Sequence, residues 1–351
     1  MSGISRRRFM AAAAATVAAE TATHRIVTAS EDDVYRVIDQ VPFGGQTRRL
    51  KLMRGDRYIT ALIFPTDYPT HFRLKPELFP VCTPRGIPVT GSHEYCFIHH
   101  QSISCGHGKV RVEGTNREVD FFRKLPFPDP QREDKWHRGF NLFQMGPSGI
   151  QRVEQVRWSV DDRIIVHLTL QWQTREEHQE VGETLLVEQR RYEVFQQEAF
   201  TVIDQYSRLA PADKPVTLVA DRHSFATVRV HDLIDVEDGG TMRDSEGRMD
   251  LEGVYCDQQG ERKTPRWVDC TGTIGENVVG MTLMGHADNL RNQFFLRKYG
   301  MMEVSAMLDA DVRLTDEAPL VFAARFVAHD GPITDAVVDR LYQEFSGQRL
   351  R

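Results

Sequence analysis

Residues 93–108 read HEYCFIHHQSISCGHG and hold four of the thirteen histidines and two of the five cysteines of this 351-residue chain. Packing does not explain that density, because an imidazole fills a core no better than Leu or Phe. Its pKa near neutrality suits proton transfer. His99, His100 and His107 are therefore candidate acid–base groups, and His93 is a candidate substrate contact. On one continuous strand His93, His99 and His107 would share a side and His100 would face the other way. Gly106 and Gly108 argue instead for a strand running into a loop. The plainer alternative ties some of these rings to backbone carbonyls.

Three further sets carry chemistry. In ADRHSFATVRV, Asp221, His223 and Arg229 share a parity, so on a continuous strand a carboxylate orients an imidazole and raises its basicity; a solvated strand face is the alternative. Trp267 and Asp269 also share a parity. An indole beside a carboxylate suits a sugar, the ring stacking on a pyranose and the carboxylate taking a proton or hydroxyl bonds; a core tryptophan with a turn aspartate is the alternative. His286, Asn289 and Arg291 follow the apolar run NVVGMTLM, as in a functional loop at the mouth of a sheet, with Arg291 able to hold an anion. The expected roles are His99 or His100 as acid and Asp269 or His223 as base. Trp267 stacks, His93, Arg229, Asn289 and Arg291 bind, and His107 and His286 are further catalytic candidates. Three histidines and a water would complete a zinc site. The spacing matches no compact metal motif such as HExxH, so no metal or cofactor is expected.

These groups need a scaffold. From about residue 25 a period-two alternation dominates, as in RYITALIFP, GIQRVEQVRWSV, RIIVHLTLQWQT and FTVIDQYSRLAP, with turn signals such as Asp161-Asp162 and Asp238-Gly239-Gly240 between segments. Only TDAVVDRLYQEF has a helical stripe, formed by Val337, Val338, Leu341, Tyr342 and Phe345, with Thr334 or Asp335 as cap. So many alternating strands predict stacked antiparallel sheets. The expectation is an all-β chain, one large antiparallel β-sandwich over residues 25–351 with a C-terminal helix. Two β domains divided near residues 147–149 are the second choice.

A hydrophobic content of 40% and a charged content of 27% are those of a folded chain. A net charge of −6 argues against a nucleic-acid partner. The first residues read SRRRFM followed by an Ala-rich run, which matches a twin-arginine export signal over residues 1–24. That run is too short to span a bilayer. The expected location is periplasmic or extracellular, with no membrane span; a basic tail on an Ala-rich helix is the alternative. With no CxxC pair, the cysteines are expected as buried thiols.

Several segments in order resemble a family of bacterial proteins known as PmoA-like, or DUF6807. TPRGIPVT (83–90) is similar to its TPSGIPVT, HEYCFIHHQSISCGHG to HPHHRSLWFAHG, and EVDFF (118–122) to GVDFW. WVDCTG (267–272) is similar to WVDYSG, GHADNLR (285–291) to DHPSNPR, and KYGMME (298–303) to DYGLF. Two positions depart: Gln101 stands where the family has Arg, and Arg222-His223-Ser224 where it has KEG. The methane-oxygenase label carried by such sequences implies a membrane subunit with spanning helices of about 20 apolar residues, and no such stretch follows the leader. The resemblance implies a sandwich like that of galactose mutarotase relatives, with sugar bound on a concave sheet face, by analogy of fold alone.

Together these features point to acid–base chemistry on a sugar, of epimerase, glycoside-cleaving or lyase type, with a small-molecule or oligosaccharide substrate. A metal-dependent enzyme with histidine ligands and a non-catalytic sugar-binding protein are the alternatives.

Overall fold

The computed structural model describes residues 34–40, 47–65, 75–92, 99–123, 148–175, 181–256 and 263–350. The export segment expected over residues 1–24, His93 and Cys96 lie outside the described residues.

Two large sheets stack across one apolar core. Sheet 1 has nine strands, in the order Tyr35–Gln40, Thr47–Arg54, Arg57–Pro65, Glu77–Leu78, Ile103–His107, Ser224–Arg229, Met301–Ser305, Gln293–Arg297 and Gly253–Tyr255. Sheet 2 has eight, in the order Thr241–Asp244, Trp267–Ile274, Asn277–Gly285, Leu320–Asp330, Phe200–Pro211, Val181–Gln197, Ile164–Arg175 and Gly149–Val160. A four-stranded sheet of short segments, including Val110–Val112 and Val216–Leu218, completes the set. The all-β sandwich expected from the alternation is what forms, and helix α1 (Asp335–Ser346) closes the chain with Thr334 as N-cap. Among the described residues no helix is long and apolar enough to cross a membrane.

Period two decides which side chains meet in the core. On sheet 1, Ile103, Cys105, Ala226, Val228, Met302 and Val304 face sheet 2, which answers with Val166, Leu168, Trp172, Met281, Leu283 and Phe326. One polar network crosses this core. Arg190 and Glu188 pair at 2.7 Å, Trp172 Nε1 donates to Glu188 at 2.9 Å, and Gln151 links Arg190 to the carbonyl of Cys105 on sheet 1. Such a pair adds little net stability over apolar packing but resists any arrangement that separates its members. Cys82, Cys105 and Cys270 are buried thiols.

The continuous strand expected across residues 220–230 is interrupted. Strand pairing begins only at Ser224, in Ser224–Arg229, after the short strand Val216–Leu218. Phe225 has a φ of 77°, a left-handed conformation rare for a bulky residue. That turn lets Phe225 and Ala226 both enter the core, Phe225 against Phe322 at 5.0 Å. Ser224 and the bend before it are thereby turned to the far side of sheet 1.

Candidate active site on the outer face of sheet 1

The outer face of sheet 1, away from sheet 2, carries a buried polar row. Register places Glu77 beside Ser104, Ser104 beside Thr227, Thr227 beside Glu303, and Glu303 beside Phe295. Ser104 and Thr227 share a hydroxyl hydrogen bond of 3.0 Å, and Ser92 donates to Glu77 at 2.6 Å. Glu303 is fully buried. Its Oε2 accepts the Ser224 N–H at 3.0 Å, and its Oε1 lies 3.7 Å from His223 Nδ1.

Around Glu303 the imidazoles gather. The His223 ring lies 6.2 Å from that of His99 and 5.7 Å from that of Phe295. His99 packs edge-on against His100 at 4.4 Å, and His100 stacks on Tyr299 at 5.6 Å. The Arg229 guanidinium sits 5.2 Å from the centre of the Tyr299 ring, donates to the Tyr299 carbonyl and pairs with Asp232. Beneath the histidines, the Lys75 ammonium donates to the carbonyls of His99 and Phe122, both at 3.2 Å, and lies 4.2 Å from the centre of the Phe122 ring. Gly108 backs this cluster because a Cβ there would meet Asp221 Oδ2 at 2.4 Å. Its absence leaves room for Asp221 to pair with Arg123 at 3.1 Å.

Burial sets the protonation states. It lowers His99 to about 2 and His100 well below its ordinary 6.5, and the neighbouring Lys75 and Arg229 charges push the same way. Burial also draws Lys75 down to about 8. It raises the Glu303 carboxyl, against the opposing pull of His223 and the Ser224 N–H. Neutral His99 and His100 are therefore acceptors or neutral donors at physiological pH rather than imidazolium acids. Beside them, burial raises the Glu303 carboxyl above its ordinary range, which suits it to proton exchange.

The predicted residues divide by sheet face. The structure brings together His99, His100, His223 and Arg229. It separates the others. His107 points into the core side of sheet 1, fully buried, with Nε2 at 3.0 Å from the Val219 carbonyl. Of the stretch 93–108, the described part has a turn at His99 leading into the strand Ile103–His107, which ends at a bend at Gly108. His223 pairs with Glu303, not with Asp221, because residues 221–223 form a bend instead of a strand. Trp267 and Asp269 lie on sheet 2. Trp267 is fully buried under α1 among Phe200, Val202, Met284, Val327, Val338 and Leu341, with Nε1 donating to Asp339 at 2.8 Å. Asp269 is sealed beneath Arg243 and His329. His286 packs its ring on Phe345 of α1 at 4.9 Å. Asn289 bridges to the backbone of Ala323, and Arg291 donates to the Ala306 carbonyl at 2.8 Å. The loop 286–291 is thus held as a brace between sheet 2 and its neighbours.

Lys75, Tyr299 and Glu303 belong to the cluster and were not among the predicted residues. The signal for Glu303 was present: one acid in the apolar strand MMEVS, within a segment that already carries the family resemblance. Among the described residues no group of three or more His, Cys, Asp or Glu side chains has the arrangement of a metal centre. A groove of about 210 Å³ lies elsewhere, on the outer face of sheet 2, lined by residues including His167, Arg191 and Tyr206.

The neutral buried rings make stability pH-dependent. His99 and His107, the latter lowered to about 4 by burial, stay unprotonated when folded but take a proton in the unfolded chain below their ordinary 6.5. The stability they hold above 6.5 is lost as pH falls from there toward about 4 for His107 and further for His99, at about 1.4 kcal/mol per pH unit per group. The urea midpoint is expected to fall steadily below about pH 6.5; a flat profile there is incompatible with neutral buried rings.

Comparison with known proteins gives a family and distant folds. The profile of a family of unknown function (DUF6807) matches residues 49–343. No curated protein matches the chain. Among solved structures, it is similar to a putative aldose 1-epimerase from Klebsiella pneumoniae subsp. pneumoniae MGH 78578, with 11% identity, 89% of this chain and 87% of that one covered, and a TM-score of 0.36. It is also similar to the galactosidase domain of the alpha-galactosidase-sucrose kinase AgaSK, with 7% identity, 84% and 42% covered and a TM-score of 0.35, so it spans less than half of that protein. A putative mutarotase (YeaD) from Salmonella typhimurium shares 14% identity, with 84% and 97% covered and a TM-score of 0.27.

Proposed function

The chain belongs to the DUF6807 family, and for this member of it we propose acid–base catalysis on a carbohydrate, carried by Glu303 and His223 with the paired rings of His99 and His100. The observation that supports this most is a set of buried polar atoms with no hydrogen-bond partner among the described residues. Arg229 Nε and Ser102 Oγ are of this kind, and Glu303 Oε1 and His223 Nδ1 face each other at 3.7 Å, beyond hydrogen-bond length; all come from neighbouring segments of sheet 1. Leaving such atoms unpaired costs about 1–3 kcal/mol each. Such atoms gathered on one sheet face suit a ligand with hydroxyls, which supplies the missing donors and acceptors.

The chemistry follows from the two kinds of group. Glu303, its carboxyl raised by burial, gives or takes the proton at the reacting oxygen. His223, beside it, balances the charge as that proton moves. His99 and His100, kept neutral, offer ring nitrogens beside this pair as base or hydrogen-bond partners. Ring opening, glycoside cleavage and β-elimination all use such a pair.

The test offers the purified protein a set of reducing sugars, aryl glycosides and oligosaccharides. Anomer exchange and new products are followed by proton NMR. Turnover of at least one class, reduced at least about a hundredfold by His223→Asn, is expected. Absence of turnover from every class, with the folded protein verified, overturns the proposal.

A further inference from the structure

We infer that Arg123 is a positioning residue for this site: through the segment 120–123 it holds His99 and His223 at a fixed spacing. The inference rests on the carbohydrate reading, which supplies the reaction, and deepens it by naming what assembles the two rings.

His99 lies in a turn and His223 in a bend. The strand register that places Glu303 therefore does not place them, and the link between them is made by side chains. On the His99 side, Lys75 Nζ donates to the carbonyls of His99 and Phe122, both at 3.2 Å, and Gln101 Nε2 donates to the Lys75 carbonyl at 3.3 Å. On the His223 side, Asp221 Oδ1 accepts the His223 N–H at 3.2 Å, and Asp221 Oδ2 pairs with Arg123 Nη2 at 3.1 Å. Asp120 joins the two sides. Its carboxylate accepts the backbone N–H groups of Phe122 and Arg123 at 2.8 and 2.7 Å and Arg123 Nε at 3.2 Å. Polar contacts thus run without a break from the His99 carbonyl to the His223 amide. The Phe122 ring completes a triangle with the two imidazoles, 6.2 Å from His99 and 5.7 Å from His223.

The CGHG run makes room for this segment. A Cβ at Gly106 would meet the Phe121 carbonyl oxygen at 2.7 Å, and one at Gly108 would meet Asp221 Oδ2 at 2.4 Å and Arg123 Nη2 at 3.0 Å. Both glycines serve a close approach of residues 120–123 to the strand Ile103–His107. The Phe121 N–H donates to the His107 carbonyl at 2.9 Å, and the Gly108 N–H to the His223 carbonyl at 3.0 Å. Arg123 is the member of the chain of contacts best suited to a test. Its side chain is 21% exposed, and Asp120 keeps two backbone partners without it. Its charge also acts on His99, after burial, Lys75 and His223.

Nitrogen–proton NMR of the full chain reads the rings directly, with their signals assigned by their loss in His99→Asn and His223→Asn. Arg123→Gln is expected to move the ring resonances of both His99 and His223. Those of His329, on sheet 2, should stay in place, and the thermal midpoint should change little. Arg123→Lys keeps a cation against Asp221 and is expected to return both rings part of the way. On a sugar that the unmodified protein turns over, Arg123→Gln is expected to lower kcat by roughly ten- to a hundredfold with KM little changed. Should Arg123→Gln not fold, Asp221→Asn takes its place, because it keeps an oxygen for the His223 N–H and loses the charge that holds Arg123. Unmoved rings in a folded variant, or an unchanged kcat, would overturn the positioning role. Absence of turnover by the unmodified protein overturns the carbohydrate reading alone, and the ring signals still decide for Arg123.

Discussion

Replacing Glu303 by glutamine is expected to lower kcat by about two to four orders of magnitude while leaving the thermal midpoint unchanged or slightly raised. Glutamine keeps the volume and an oxygen for the Ser224 N–H, which Glu303 Oε2 accepts at 3.0 Å. What it removes is the proton. The carboxyl sits fully buried between Thr227 and Phe295, where burial favours the protonated form. A buried carboxylate is an expense to the fold, so its neutral isostere costs no stability. The measurement pairs steady-state turnover of the sugar substrate with a melt followed by circular dichroism. Its pH profile adds a separate readout, because the ionisation assigned to Glu303 should vanish from kcat in the variant. Unchanged turnover with an unchanged profile would remove Glu303 from the proton path and shift it to the paired histidines.

The second large effect lies on the opposite sheet and concerns stability alone. Asp269→Ala is expected to cost about 3–5 kcal/mol and to leave turnover per folded molecule intact. Asp269 Oδ1 accepts from Thr282 Oγ1 at 2.7 Å and contacts His329 Nε2 at 3.1 Å; Oδ2 accepts from Thr271 Oγ1 at 2.8 Å and has Arg243 Nε 3.5 Å away. Truncation removes at once the partner of a buried imidazole nitrogen and of two hydroxyls. Burial opposes both charges, yet their attraction and bonding win, lowering the Asp269 carboxyl and raising the His329 ring. The pair thus stabilises the fold between those two values. The contribution disappears as pH falls through the lowered Asp269 value, and again as pH rises through the raised His329 value. Urea unfolding at neutral and alkaline pH reads both limbs. A small change in stability joined to a large loss of turnover would place Asp269 back among the catalytic groups.

These two residues show how far a sequence pattern reaches. Parity correctly put Trp267 and Asp269 on one side of a strand. It could not say that this side faces away from the sandwich core and under α1, where Val338 and Leu341 cover the indole. The same limit explains Glu303: alternation in MMEVS places it opposite Met302 and Val304, and only the stacking of sheet 2 on those two makes the outer face polar. The histidine pair was legible because composition alone marked it. Its partner was not, since His223 reaches Glu303 through a bend made by the φ of Phe225, which no spacing rule encodes.

From its sequence alone this protein is a chain of alternating strands with one closing helix, rich in imidazole at one point, because period and composition are local properties that neighbouring residues carry. Tertiary structure alone decided that His99, His100, His223, Arg229 and Glu303 meet on one face while His107, Trp267, Asp269 and His286 are sealed elsewhere. Which face of a strand is covered, and by what, is a non-local outcome of how two sheets and a helix share apolar area.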